Sequence, residues 1–366
     1  MVRPRWERCS RRPTALRRRA AVFSVLMLAS SSMLLPVGTS GASGSFEKGV
    51  NISFYDNTNR SDHFIRTQSS LYAEYFSSEL GATTVTVTVP LWVTSPHSNK
   101  VLSGLDPTSH YSSTPSPKRL RMLVDALRAK GLKVRIRPLI NEGALQLQGS
   151  WRGKLVPTNR DRWFASYKQA ITPMVEVAAA RGASSFVIQV ELQKLGDDPH
   201  WGDLISWVHS QFSGSVFWNS VWGLKAGSGY APHVRTRFAI DPYPIVRLPG
   251  KATASQLAEG WASFLDANPL PVPASTTLLQ EVGILASRNV YSQPWLHENP
   301  GGTFSPRTQS RWFKAACSFA HRFGLRGISF NSFFLTSPIL RADDPSHPQF
   351  IQPEGAAAIT TCFNGS

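Results

Sequence analysis

The sequence predicts an α/β fold, a single (β/α)8 or TIM barrel, and three observations support this prediction. Between residues 46 and 340, short runs rich in β-branched and aromatic residues alternate with longer helical patterns. Glycine stands just before several of these runs, and within the runs apolar side chains alternate with polar ones. Alternating βα units require parallel strands, and a length of 366 residues suits one barrel of eight.

The N-terminal segment is predicted to be a cleaved signal peptide over residues 1–45. Eight arginines against one glutamate precede an apolar run over residues 20–37, and small residues follow it. Three serines at 30–32 interrupt the apolar run, which makes it a poor membrane span. The segment accounts for seven of the sixteen net positive charges, so the rest of the chain is only moderately basic. We therefore expect a secreted, extracellular protein with no stable membrane insertion and no nucleic-acid partner.

The strands are predicted from short apolar runs bounded by turn residues, and the helices from apolar residues at a spacing of three to four. Helices are expected over 117–130, 160–181 and 306–323, with a last helix at 356–363. Glycine tolerates the left-handed conformation that ends a helix. Glycines in that position before a strand are Gly81, Gly131, Gly182, Gly214 and Gly324. The predicted strands span residues 50–55, 84–92, 133–140, 185–192, 215–222, 238–244, 276–284 and 327–335.

The alternation within the strands predicts a polar barrel interior. In the third strand Arg135 and Arg137 share one face, and in the fourth Gln189 and Glu191 lie opposite a face that includes Val190. In a barrel the apolar face packs against the helices and the other face points inward. An open doubly wound sheet would bury both faces and read as continuous apolar sequence, and it is therefore the weaker alternative. Arg137 is expected to hold an inward-facing carboxylate.

Several classes of chemistry lack a sequence signature. No glycine-rich nucleotide loop follows the first strand, and no Gly-x-Ser-x-Gly turn accompanies the histidines. Cys9 belongs to the signal segment, which leaves Cys317 and Cys362 as one possible disulfide closing a C-terminal loop. No CxxC or HExxH pattern is present. We therefore expect neither a metal nor another cofactor.

Two glutamates stand where barrel enzymes place their chemistry, at the carboxyl ends of strands. Glu191 ends the fourth predicted strand and Glu281 lies near the end of the seventh. Glutamate is seldom buried without a partner or a task. Two inward carboxylates across one barrel mouth suit the cleavage of a glycosidic bond, in which one is protonated and the other is ionised. The alternative is a structural role, in which both glutamates pair with the inward arginines.

Four sequence segments, in order, resemble glycoside hydrolase family 113, the endo-β-1,4-mannanase-like barrels of a large retaining clan. They are Gly49-Val50-Asn51, Trp163-Phe164-Ala165-Ser166-Tyr167, Glu191-Leu192 with Trp201, and Glu281-Val282-Gly283. The resemblance spans about residues 46–340. It implies that Glu191 is the acid/base and Glu281 the nucleophile, and that Tyr243 supports the nucleophile.

The sequence departs from the clan pattern at two places. Many clan members have asparagine before the acid/base, where this chain has Val190, and the eighth strand often supplies a tryptophan, where this chain reads Phe330-Asn331-Ser332-Phe333. These departures motivate a second hypothesis. In it the barrel has lost catalysis and binds glycan or cell-wall polymer.

Substrate-binding candidates come from residue type and position at strand ends. A flat aromatic ring can stack on a sugar while polar neighbours bind its hydroxyls. Asp241 could orient substrate or pair with the inward arginine, and asparagines at strand ends could bind hydroxyls or cap helices. The candidates are Tyr243, Asp241, Asn219, Asn51, Trp92, Trp222 and Trp295.

The leading hypothesis is a secreted glycoside hydrolase that cleaves β-linked polysaccharide or oligosaccharide, with mannan as the first expectation. The expected mechanism is a retaining double displacement, and the expected state is a monomer whose partner is its carbohydrate substrate.

Overall fold

Eight parallel strands pair in chain order and close into a barrel when the eighth pairs with the first. The computed structural model describes residues 45–57, 59–109, 112–223, 233, 235–298 and 302–365. All eight predicted strands are confirmed. Their bounds are Glu47–Ser53 (β1), Thr84–Leu91 (β2), Lys133–Ile140 (β3), Ser185–Val190 (β4), Ser215–Val221 (β5), Arg237–Asp241 (β6), Thr277–Val282 (β7) and Gly327–Phe334 (β8).

Helices cover the outside of the barrel, and in the described residues one or more lie between each pair of successive strands except β5 and β6. Several begin at a side chain that accepts a backbone N–H of the first turn, as Ser61, Ser116, Asn159 and Thr253 do. A π-helical turn at Tyr75–Glu79 extends the first helix. The helices are Asp62–Glu74 (α1), Pro117–Ala129 (α2), Gly143–Gln146 (α3), Arg160–Ala180 (α4), His200–Gln211 (α5), Ala254–Ala267 (α6), Pro306–Arg322 (α7) and Pro353–Asn364 (α8).

The glycines before the strands have two different structural reasons. Gly81, Gly131, Gly182 and Gly324 have φ between 58° and 75°, the left-handed conformation that was predicted. Gly214 is not left-handed. A Cβ there would lie 2.2 Å from the Phe212 ring and 2.8 Å from the Ser184 carbonyl oxygen, so this position needs glycine for space.

The barrel interior holds both polar networks and an apolar cluster. Arg135 donates to Gln280 at 2.9 Å and to Glu47 at 2.7 Å, and Gln280 donates to Asn51 and Thr86. This network confirms that the second and third strands turn polar side chains inward. A separate apolar cluster fills the interior across β3 to β7. Its members are Leu139, Val187, Val190, Phe217, Ala239 and Leu278.

Val190 therefore corrects the parity prediction for the fourth strand, which placed it against the helices. The pairing of β4 with β5 shifts register between Val187 and Gln189, so Val187 and Val190 both reach the interior cluster. A similar shift between Leu279 and Val282 interrupts β7. There Gln280 and the next residue, Glu281, both contact arginines of the interior.

The C-terminal helix is tied to the barrel by a disulfide. Cys317 on α7 and Cys362 on α8 form the bond, as the sequence suggested. His321 lies near both sulfurs, but disulfide sulfurs are not thiolate ligands, so this group does not form a metal site.

The N-terminal prediction lies almost wholly outside the described residues. Of the segment 1–45, only Ser45 is described, and the signal peptide stays a prediction. Within the described part of the chain, no helix combines the length and the apolar character needed to cross a membrane.

Candidate active site

A cavity of about 320 Å³ opens at the carboxyl end of the barrel, where TIM-barrel enzymes bind their substrates. Its walls come from residues at or after the ends of β1, β3, β6, β7 and β8. Polar and aromatic side chains on the walls include Tyr55, Asn141, Glu142, Gln146, Arg152, Tyr243, Glu281, Trp295, His297, Asn331 and Gln349.

Glu281 is held on both carboxylate oxygens. The Tyr243 hydroxyl donates to its Oε1 at 2.7 Å, and the Asn331 amide donates to the same atom at 3.2 Å. Arg137 donates to its Oε2 in a salt bridge. Three donors from β3, the segment after β6, and β8 thus hold one side chain at the edge of the cavity.

The surroundings of Glu281 favour its ionised form. Burial raises its pKa, but the positive charge of Arg137 and the hydrogen bond from Tyr243 outweigh burial and hold the pKa below its ordinary value. Burial raises the pKa of Tyr243 well above its ordinary value, so the phenol keeps the proton it donates.

Arg137 also binds a second carboxylate, deeper in the barrel. Its Nη2 lies 3.0 Å from Oδ2 of Asp241, and the Asn219 amide donates to the same oxygen at 2.6 Å. Asp241 is fully buried, and burial raises its pKa well above the ordinary value. Of the two carboxyls that share this guanidinium, Glu281 is therefore the one that carries the negative charge more readily.

Glu191 follows β4 directly, in an unusual backbone conformation. Its φ is +56°, which costs a non-glycine residue about 1–3 kcal/mol and persists only where the surrounding structure enforces it. The backbone around it is fixed: the Glu191 N–H donates to the Asn219 carbonyl at 3.0 Å, and the next N–H, of Leu192, donates to the Gln189 side chain at 3.0 Å. Strain of this kind concentrates at functional sites, where it aims a side chain.

Glu191 is charged less readily than Glu281. Its side chain is 6% exposed, and Arg152 donates to its Oε2 in a salt bridge. Burial raises the pKa of Glu191; the positive charge of Arg152 opposes this, and the negative charges of Glu281 and Glu142 add to it. The net direction is upward, so one glutamate tends to hold a proton while the other tends to lose it.

The comparisons with known proteins point to one family. The family model of Glycoside Hydrolase Family 113 matches residues 66–329, which is most of the chain. The chain belongs to Glycoside Hydrolase Family 113. It is therefore a glycoside hydrolase, as the resemblance implied. None of the curated proteins matches the sequence.

Solved structures of Family 113 proteins share the fold at low sequence identity. A complex of a Family 113 β-1,4-mannanase is 16% identical with a TM-score of 0.66, and the match covers 88% of this chain and 99% of the other. The Family 113 β-mannanase from Alicyclobacillus acidocaldarius, in complex with ManMIm, is 18% identical with a TM-score of 0.66, covering 87% and 97%. At this identity the likeness concerns the fold.

Three of the predicted site residues border the cavity: Glu281, Tyr243 and Trp295. Trp295 is 45% exposed, which suits a ring that stacks on a sugar. Glu191 touches the cavity wall through Arg152. The two catalytic candidates and Tyr243 are thus brought to one end of the barrel.

Three other predicted residues lie just below the cavity and support it. Asn219 and Asp241 complete the Arg137 network, so Asp241 takes the alternative of pairing with the arginine. Asn51 donates to the Gln280 carbonyl at 2.8 Å and accepts from the Gln280 side chain at 3.0 Å. All three are fully buried.

The structure does not bring the remaining two tryptophans to the cavity. Trp222 packs among Trp261, Phe264 and Phe319 of α6 and α7, and donates to the Asn268 carbonyl at 2.8 Å. Its parity on β5 is that of Trp218, which packs against Trp201 of α5, so the alternation already placed it outside. Trp92 is buried beside Tyr55, and its indole donates to the Gly104 carbonyl at 3.1 Å.

The sequence reasoning missed Arg152, Tyr55 and a role for Asn331 at the nucleophile. Arg152 lies in the loop after β3, where neither spacing nor parity applies. Asn331 stands in the strand that lacks the clan's tryptophan, and its contact with Glu281 shows that this position still faces the site.

Proposed function

We propose that this Family 113 protein is a retaining glycosidase, in which Glu191 is the acid/base and Glu281 the nucleophile. The observation that carries the proposal is that two glutamates meet at one barrel mouth in different surroundings, which shift their pKa values in opposite directions. Glu281, held by Arg137 and Tyr243, has a lowered pKa, and Glu191 has a raised one. Retaining glycosidases need this division between two carboxyls.

In the proposed first step Glu191 gives its proton to the glycosidic oxygen as Glu281 attacks the anomeric carbon. In the second step water displaces Glu281, and Glu191 takes the proton of that water.

We propose β-linked mannan or its oligosaccharides as substrate. The solved Family 113 structures with TM-scores of 0.66 are β-mannanases, which supports this choice. The cavity offers the features a sugar needs, with the exposed ring of Trp295 on one wall and hydroxyl, amide and carboxylate groups around it.

We propose export from the cell as the setting for this activity. The basic, apolar and small-residue segments of the first 45 residues have the order of a secretory signal. The Cys317–Cys362 disulfide is consistent with an oxidising compartment. N-terminal sequencing of the protein from the culture medium tests this, and an intact N-terminus on intracellular protein contradicts it.

The experiment for the activity uses purified residues 46–366 with β-mannan, glucan, xylan and galactan. We expect reducing ends to appear from mannan, and proton NMR of the earliest products to show the β-anomer before it equilibrates. Early α-anomer would contradict the retaining mechanism, and release from another polymer alone would contradict the substrate.

The second candidate is a glycan-binding protein without turnover. Val190 favours it, because the position before the acid/base carries no polar group and lies in the apolar interior cluster. Titration calorimetry with mannan oligosaccharides separates the two candidates. Binding without any product over days supports the second, and product formation supports the first.

A further inference from the structure

Arg152 makes several polar contacts in this site, and neither the family resemblance nor the sequence pattern gives it a role. The guanidinium Nε of Arg152 donates to the Ile140 carbonyl at 2.8 Å. The backbone N–H of Arg152 donates to Oε1 of Glu142 at 3.3 Å. Its Nη1 lies 3.4 Å from Glu142 and donates to Oε2 of Glu191. The end of β3 and the loop after it thus fix the guanidinium against the Glu191 carboxyl.

Arg152 also stands at the cavity wall. It lines the cavity, and its guanidinium also donates to the carboxyl of Glu191. The Arg152 side chain is 14% exposed, against 6% for Glu191. A buried guanidinium needs acceptors for its N–H groups, and here the carboxyl groups of Glu191 and Glu142 supply them.

We propose that Arg152 is a positioning residue for Glu191, which orients the carboxyl and determines which of its oxygens carries the proton. The inference rests on the proposed function for its catalytic consequence, though not for its electrostatic one. A guanidinium N–H can only donate, so Oε2 of Glu191 must accept. The proton of the neutral acid therefore sits on Oε1, to which no described residue donates.

The chemical steps then assign each atom. The proton on Oε1 passes to the glycosidic oxygen, whose bond to the anomeric carbon breaks with the electron pair staying on that oxygen. An oxygen of Glu281 bonds the anomeric carbon. Glu191 is now an anion, which Arg152 stabilises. In the second step water attacks the anomeric carbon and gives a proton to Glu191, and the Glu281 carboxylate leaves with the electron pair of its bond to that carbon.

Several other charged groups face Glu191 and act together with Arg152. Glu142 shares the guanidinium from the same loop, Arg137 approaches from β3, and Glu281 approaches from β7. Asp241 and Tyr243 also interact with its charge from β6 and the segment that follows. Arg152 and Glu142 belong to one loop and carry opposite charges. Replacing each of them in turn by a neutral residue should therefore shift the pKa of Glu191 in opposite directions.

The first test is the pH profile of kcat/KM. Arg152→Met removes the cation, so Glu191 loses its proton at higher pH and the alkaline limb moves up by about one pH unit or more. Because the carboxyl is also released, we expect kcat to fall about 10–100-fold. Arg152→Lys keeps the charge and should keep the alkaline limb near the wild-type position. Losing the planar guanidinium, whose donors hold a fixed geometry, should still lower kcat. Glu142→Gln removes the competing anion, and its limb should move down.

The matched control is Arg307→Met, an arginine on α7 whose side chain is 78% exposed. The proposal is overturned if the alkaline limb of Arg152→Met coincides with that of Arg307→Met, or if Glu142→Gln moves the limb upward. If Arg152→Met does not fold, the pH profiles of Arg152→Lys and Glu142→Gln still test the proposal. An alkaline limb of Glu142→Gln that stays at the wild-type position also overturns it.

A second test needs no activity and so separates this proposal from the proposed function. In protein with carbon-13 at the glutamate carboxyls, the Glu191 signal is assigned by its loss in Glu191→Gln and titrated in wild type, Arg152→Met and Glu142→Gln. We expect its midpoint to rise in the first variant and fall in the second. Those shifts in a protein that cleaves no glycan would support the positioning by Arg152 and contradict the catalytic roles proposed for the glutamates. Unchanged midpoints in an active enzyme would contradict the positioning by Arg152 and leave the proposed function standing.

Discussion

The two glutamates at the barrel mouth differ in what surrounds them. Glu281 meets a cation, a phenol and an amide, which come from three parts of the barrel frame. Glu191 meets one guanidinium, which comes from a loop. Glu191 is buried and Glu281 is partly buried, and loss of water raises the pKa of each, yet the net shift is downward for Glu281 and upward for Glu191.

The difference teaches that donor number and placement, more than burial, separate the roles of two identical side chains. Three donors stabilise the anion of Glu281 beyond the cost of taking it out of water. The single cation beside Glu191 is shared with Glu142 and does not overcome that cost. The frame therefore fixes the proposed nucleophile, and the loop adjusts the proposed acid.

The largest expected effect comes from removing each carboxylate in turn. Glu281→Gln should lower kcat about 10⁴–10⁶-fold on every substrate, because no group replaces the nucleophile. Glu191→Gln should lower it about 10²–10⁴-fold on mannan, but far less on a dinitrophenyl glycoside, whose leaving group needs no proton. Steady-state kinetics on both substrates measure the contrast.

The control for these variants is Glu259→Gln, on the outer helix α6 with a 64% exposed side chain. It should behave as wild type on both substrates. Equal losses for Glu191→Gln on the two substrates would contradict the acid role, and substantial activity in Glu281→Gln would exclude this residue as nucleophile.

The next effect tests the frame beneath Glu281. Arg137→Met leaves Asp241 and Glu281 without their shared cation, and breaking a buried pair of this kind costs about 3–5 kcal/mol of the free energy of unfolding. Chemical denaturation of wild type, Arg137→Met and the exposed Arg307→Met measures it. A loss no greater than that of Arg307→Met would show that the network does not stabilise the barrel.

A smaller effect is expected from the phenol. Tyr243→Phe removes a hydrogen bond to a charged group, worth about 1.5–3 kcal/mol, so kcat/KM should fall about 10–150-fold. Since this bond lowers the pKa of Glu281, its loss raises that pKa and should move the acid limb of the profile to higher pH. Circular dichroism checks the fold; an acid limb that stays in place would contradict the role given to Tyr243.

Much of the barrel frame could be predicted from the sequence, because helices and strands follow the spacing of apolar residues and the positions of glycines. The eight strands, the helices α2, α4 and α7 and the left-handed glycines each depend on local conformation, which the sequence shows directly. The glutamates and Arg137 followed from their place on strands. Trp222 was placed in the site by proximity alone, although the alternation of β5 already turned it outward.

What could not be predicted depends on irregular backbone. Val190 reaches the interior because a register shift interrupts the pairing of β4, and no residue type in that strand indicates such a shift. Arg152 lies in a loop whose path is set by contacts far apart in sequence, including the one with Glu191 thirty-nine residues on. Gly214 was assigned to a left-handed turn, whereas the crowding by Phe212 that requires it exists only in the packed structure.

The smallest effect on activity is expected from the disulfide between the outer helices α7 and α8. Replacing Cys317 and Cys362 together by serine opens a link across 45 residues between α7 and α8, on the outside of the barrel. Such a link typically contributes about 2–4 kcal/mol to stability. We expect the melting temperature to fall by several degrees while kcat/KM on mannan and both limbs of its pH profile stay at wild-type values, since none of the donors to Glu281 or Glu191 lies on these helices. Reduction of the wild type with dithiothreitol should give the same loss of stability. A shifted pH profile would mean that the outer helices also influence the glutamates, and the division between a fixed frame and an adjustable loop would then be wrong.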